Sequence, residues 1–87
     1  MDSWTYEQLC DRAEWATANN KKLKLPKFKA NLEFDFDGLY SYKTKIADID
    51  MHMQTIKRLG WWSRTSSKHY NYTARLLKDK WGFEETW

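Results

Sequence analysis

The segment Trp61 to Arg75, WWSRTSSKHYNYTAR, gathers the residue types that hold anions and stack on flat ligands. Thr65, Ser66 and Ser67 are N-cap residue types clustered where a helix should begin. With Thr65 as the cap, the position where a capping box wants Glu or Gln holds Lys68. A cation in the first turn opposes the helix dipole. A helix start with free backbone N–H groups, hydroxyls and a nearby Lys and His suits a bound anion. This reading gives a phosphate site from Thr65, Ser66, Ser67, Lys68 and His69, with Arg64 adjacent. The plainer reading has Thr65 capping the helix, Lys68 in water and His69 packed on a sheet. Both stand at this point.

The outward face of the same helix adds a basic stripe. Lys68, Asn71, Arg75 and Lys78 recur at i, i+3, i+7 and i+10. Such a stripe is the electrostatic footprint of an element that faces nucleic acid. Trp61, Trp62 and Tyr72 lie close enough along the chain to stack on bases. Adjacent strand residues point to opposite faces, so one of Trp61 and Trp62 is expected in the core and the other outside. Near the N-terminus, Trp4 and Trp15 fall on one side of a helix, opposite its apolar stripe. Exposed aromatics there suggest a partner surface; the alternative is that the segment 83–87 covers them.

Catalysis finds little support. His52 and His69 are the two histidines, and neither has metal-ligand spacing with the single Cys10. No nucleophile-elbow, zinc-protease or phosphate-loop motif is present. Glu33, Asp35 and Asp37 fall on the polar face of an expected strand, where solvated charge explains them. We expect no enzyme, no cofactor and no metal.

The elements that must position these residues are legible from periodicity. Residues 3–19 read as a helix capped by Ser3 or Thr5, with Thr5 and Gln8 at capping-box spacing and Tyr6, Leu9, Cys10, Ala13 and Thr17 along one stripe. Asn19-Asn20 ends it. Residues 21–29 form a Lys-rich connector, in which Pro26 argues against a helix. Strands are expected over 31–37, 39–49 and 53–59, with a turn at Asp37-Gly38. In the second, Tyr40, Tyr42, Thr44 and Ile46 should share a face, with Tyr42 in the core. Gly60 marks a bend. A last helix over 65–81 buries Tyr70, Ala74, Leu77 and Trp81 and stops at Gly82. The expected fold is one α+β domain: a three-stranded antiparallel sheet flanked by N- and C-terminal helices, in the order α-β-β-β-α.

Composition bounds the rest. The chain has 87 residues, and Leu, Ile and Phe together number 15, with no Val. So few aliphatics border on disorder, but six Trp and five Tyr supply the area for an aromatic core. This excludes a multidomain enzyme, a disulfide scaffold and a membrane-spanning chain; a soluble intracellular protein is the expectation. The net charge of +3 is unevenly spread. Residues 21–29 hold five Lys and no acid, and residues 51–81 hold seven bases against one acid. Segregation of this kind creates local fields despite a modest net charge.

The runs Tyr40-Ser41-Tyr42-Lys43-Thr44-Lys45-Ile46-Ala47 and Trp62-Ser63-Arg64-Thr65-Ser66-Ser67-Lys68-His69 resemble a motif pair in an uncharacterised family of small bacteriophage proteins. The likeness covers residues 39–82. It implies a phage protein in the host cytoplasm, of the kind that modulates host machinery. With the basic C-terminal segment, it leads us to expect a non-enzymatic host-takeover or anti-defence inhibitor, of the anti-CRISPR sort, that engages nucleic acid or a nucleoprotein. Two alternatives remain: a nucleotide sponge at the Thr65–His69 helix start, and an inhibitor of a host protein acting through Trp4 and Trp15. No membrane partner is expected, and the oligomeric state stays open.

Overall fold

The computed structural model describes residues 3–60 and 63–86. The elements run α1 (Tyr6–Ala18), β1 (Leu23–Lys24), β2 (Leu32–Phe34), β3 (Gly38–Ser41), β4 (Thr44–Asp50), β5 (Thr55–Arg58), α2 (Arg64–Trp81) and β6 (Glu84–Thr86). The six strands form one sheet in sequence order. Neighbours are antiparallel except β5 and β6, which are parallel because α2 crosses between them. The class is α+β with two helices, as expected, but a six-stranded mixed sheet replaces the expected three-stranded antiparallel one.

Each departure has a local cause. The expected strand over 39–49 is two strands joined by a two-residue loop at Tyr42-Lys43, with Ser41 paired to Thr44. Both loop residues have positive φ, 51° and 67°, the signature of a type I′ hairpin. That conformation normally recruits Asn and Gly, and its use by Tyr and Lys hides the turn from sequence. Its consequence is to reverse the expected facing: Ser41 is buried, while Tyr42 is 56% exposed and lies outside the core. The edge strands β1 and β6 have two and three residues, too few for a period-2 pattern.

The helix ends follow their capping residues. Thr5 Oγ1 accepts from Gln8 N, and Gln8 Oε1 accepts from Thr5 N, completing the capping box. Asn20, with φ of 55°, closes α1, and Lys21 N donates back to Ala16 O at 2.8 Å. Ser63, not Thr65, caps α2: its Oγ accepts from Ser66 N at 3.1 Å. Gly82, at φ of 69°, ends α2 in the left-handed conformation.

One face of the sheet holds the core. Leu32, Phe34, Leu39, Ile46, Ala47, Ile49 and Ile56 meet Leu9 and Ala13 of α1 and Tyr70, Ala74, Leu77 and Trp81 of α2. The stripe expected on the last helix is therefore buried as read. Phe36 packs only at the margin of this core. The opposite face carries Glu33, Tyr40, Lys45, Asp48 and Lys57 by alternation along the strands. Lys24–Glu33 and Lys45–Asp48 ion pairs lie on it. Asp35, expected among solvated acids, is buried instead. Its Oδ1 accepts from Asp37 N and Gly38 N and its Oδ2 meets Lys22 Nζ at 2.9 Å, so the carboxylate builds the β2–β3 turn.

A candidate aromatic and basic interface

The α2 start divides the expected phosphate-site residues into two groups. His69 and Ser66 are buried, at 2% and 8% exposure. His69 Nδ1 lies 2.7 Å from Ser41 Oγ, and Ser66 Oγ lies 3.4 Å from the same hydroxyl. Burial pushes the His69 pKa below the usual imidazole value, so the ring is held neutral. Ser67 Oγ accepts from Arg58 Nη2 at 2.7 Å. The Arg58 guanidinium also lies 5.1 Å from the Tyr70 ring centroid, and Arg58 Nε donates to Gly60 O. The hydroxyls of Ser66 and Ser67 and the His69 ring thus tie α2 to the sheet, as the plainer reading of His69 has it. Arg64, Thr65 and Lys68 stay exposed.

The Ser41–His69 contact has the separation of a nucleophile and its base. Both side chains are at most 2% exposed. Among the described residues no group of three His, Cys, Asp or Glu side chains could hold a metal ion, and no helix is long and apolar enough to cross a membrane.

The outward stripe forms as spaced. Lys68, Asn71, Arg75 and Lys78 are all exposed, and Tyr72 is half-buried beside them. Its C-terminal half is mixed in sign, because Arg75 Nε lies 3.9 Å from Asp79 and the groove beside Asn71, Arg75 and Lys78 is also lined by Glu85. Trp61 and Trp62 lie outside the described residues. Trp4 precedes α1 and is half-buried: its carbonyl accepts from Trp81 Nε1 at 3.2 Å, and the Arg12 guanidinium sits 4.6 Å from its ring. Trp15 is 54% exposed, with Lys21 Nζ 5.5 Å from its ring.

Sequence reading missed the residues that join these parts. Phe28, from the Lys-rich connector, packs its ring 4.7 Å from His69 and edge-on to Tyr72 at 5.7 Å. Tyr42, from the β3–β4 hairpin, also meets His69, with centroids 5.8 Å apart and planes 29° apart. Three rings, Phe28, Tyr42 and Tyr72, therefore cluster with a buried imidazole, the four drawn from three parts of the chain. Exposed lysines border them by chain position: Lys27 and Lys29 flank Phe28, Lys43 follows Tyr42, and Lys68 precedes His69. Of the five described non-glycine residues with positive φ, three (Phe28, Tyr42 and Lys43) belong to this patch. Each costs about 1–2 kcal/mol of backbone strain. Strain of this kind clusters where geometry serves a ligand. Comparison with known proteins finds no matching family model, no similar curated protein and no similar solved structure.

Proposed function

We propose that this is a non-enzymatic binding protein that engages nucleic acid, or the nucleic acid of a nucleoprotein, through the surface of Phe28, Tyr42, Tyr72 and the surrounding lysines. One observation carries the reading. Phe28 docks on His69 and Tyr72, so two basic segments far apart in sequence, 21–29 and the start of α2, contribute to one face. Lys27, Lys29, Lys43 and Lys68 then give a positive field around exposed ring surface, which suits phosphates beside bases. Arg64, Arg75 and Lys78 extend the charge along α2. The burial of the Ser41–His69 pair supports binding over catalysis. In the phage setting implied by the motif pair, inhibition follows from occupying the target.

Charge reversal on this face tests the reading. A variant with Lys27, Lys29, Lys43 and Lys68 each changed to Glu should lose binding to a labelled oligonucleotide. Lys57→Glu, on β5 and outside the ring cluster, should keep it. Equal behaviour of the two variants would refute the reading.

A further inference from the structure

Resting on the nucleic-acid reading above, we infer that the ligand is single-stranded and that one unpaired base stacks on the outer face of Tyr42. The ring is 56% exposed and lies beside His69, with centroids 5.8 Å apart and planes 29° from parallel. A flat aromatic held beside a buried ring and more than half exposed offers surface to a second flat group. The platform is rigid for three reasons. The type I′ loop fixes the Tyr42 backbone. Ser41, the residue before it, holds His69 by a 2.7 Å hydrogen bond. Phe28 packs against the same imidazole at 4.7 Å, tilted by 50°. A preorganised ring loses little freedom on binding, so more of the stacking energy appears as affinity.

The surroundings of Tyr42 fit one strand better than two. Beside the ring lies an open recess of about 470 Å³ lined by Lys24, Ala30, Asn31, Glu33, Tyr42 and Lys43. It offers a cation and an amide next to the platform, with Glu33 already paired to Lys24 at 3.2 Å. Base faces inside a duplex are occupied by their neighbours, so only an unpaired or terminal base presents one to a ring. A duplex reader would use α2 as a groove-entering helix. The C-terminal half of that face carries Asp79 and borders Glu85, which oppose phosphates. The Tyr42 end is the more basic: its acid, Glu33, is paired to Lys24, while Lys27, Lys29, Lys43 and Lys68 border the rings by chain position.

The test compares a single strand of about 12 thymidines with a duplex of the same length, at about 50 mM salt, by fluorescence anisotropy. The single strand should bind more tightly. Tyr42→Ala should weaken it by about 5- to 150-fold, the range of one base–aromatic stack, and Tyr42→Trp should restore binding. Because the ring is largely exposed, both variants should keep the wild-type circular dichroism spectrum; if the alanine variant does not, the comparison of tryptophan with Tyr42→Leu replaces it. Duplex binding as tight as single-strand binding, or a Tyr42→Ala effect within twofold, would overturn this inference and leave the nucleic-acid reading intact. No binding to either form would overturn both.

Discussion

The Tyr42 ring lies stacked on the imidazole of His69, with centroids 5.8 Å apart and planes within 29° of parallel. The contact joins the tip of a hairpin to the first turns of α2, and it places a buried, neutral base behind an exposed aromatic. His69 is thereby both a core residue and the support of the candidate interface.

The buried imidazole makes stability depend on pH. Its pKa is lowered by burial in the folded state and is about 6.5 in the unfolded chain. The unfolded state therefore binds the proton first. Stability is fully present above about pH 6.5 and is lost as pH falls through the folded value. Urea midpoints should drop between about pH 7 and pH 5.5 for the wild type, and much less for His69→Gln. Parallel profiles for the two proteins would show that another group controls the transition.

Removing the partner of that imidazole should be costly. Ser41→Ala leaves His69 Nδ1 buried without its 2.7 Å hydrogen bond, at a cost of about 1–3 kcal/mol in unfolding free energy. Chemical denaturation measures it. A loss below a few tenths would mean that water reaches the ring.

The hairpin loop should show opposite effects on stability and binding. Lys43 sits at φ of 67°, a conformation that glycine adopts without penalty. Lys43→Gly should stabilise the fold by about 1 kcal/mol. The same change removes a cation beside Tyr42 and should weaken oligonucleotide binding. Denaturation and anisotropy on one variant check both signs.

Two glycines separate crowding from conformation. A Cβ on Gly38 would lie 2.5 Å from Lys45 Cε and 2.8 Å from Ala47 O, against backbone that cannot yield. Gly38→Ala should cost about 1–3 kcal/mol by overpacking. At Gly82 nothing lies within 4 Å, and the cost of Gly82→Ala, about 1 kcal/mol, comes from its φ of 69° alone. Thermal melts that rank them the other way would contradict this division.

Trp15 distinguishes the nucleic-acid reading from inhibition through the first helix. Its side chain is more than half exposed and its ring meets Lys21. Trp15→Ala should change stability by at most about 0.5 kcal/mol and leave oligonucleotide affinity unaltered. Loss of binding on this substitution would move the interface to α1.

The helices were legible in the sequence because their caps and stripes are explicit: Thr5 with Gln8, Asn20, Gly82, and the run Tyr70, Ala74, Leu77, Trp81. The sheet was less so. Tyr42-Lys43 makes a tight turn without turn residues, and the edge strands gain their pairing from neighbours, not from pattern. Ser66 and His69 drew attention by chemical type, although Ser66, Tyr70, Thr73, Leu77 and Trp81 continue one helical stripe. That spacing was the available signal that the polar members are buried. Phe28 escaped notice and Tyr42 was assigned to the core, because their partnership depends on tertiary packing between a connector and a hairpin.

The most direct measurement is oligonucleotide affinity across a salt series from about 50 to 200 mM. With Lys27, Lys29, Lys43 and Lys68 on phosphates, log K against log salt should be linear with a slope of about −3 for a single strand. The slope should shallow by somewhat less than one for each lysine replaced by Gln. A flat response, or no binding at the lowest salt, would contradict the proposed interface.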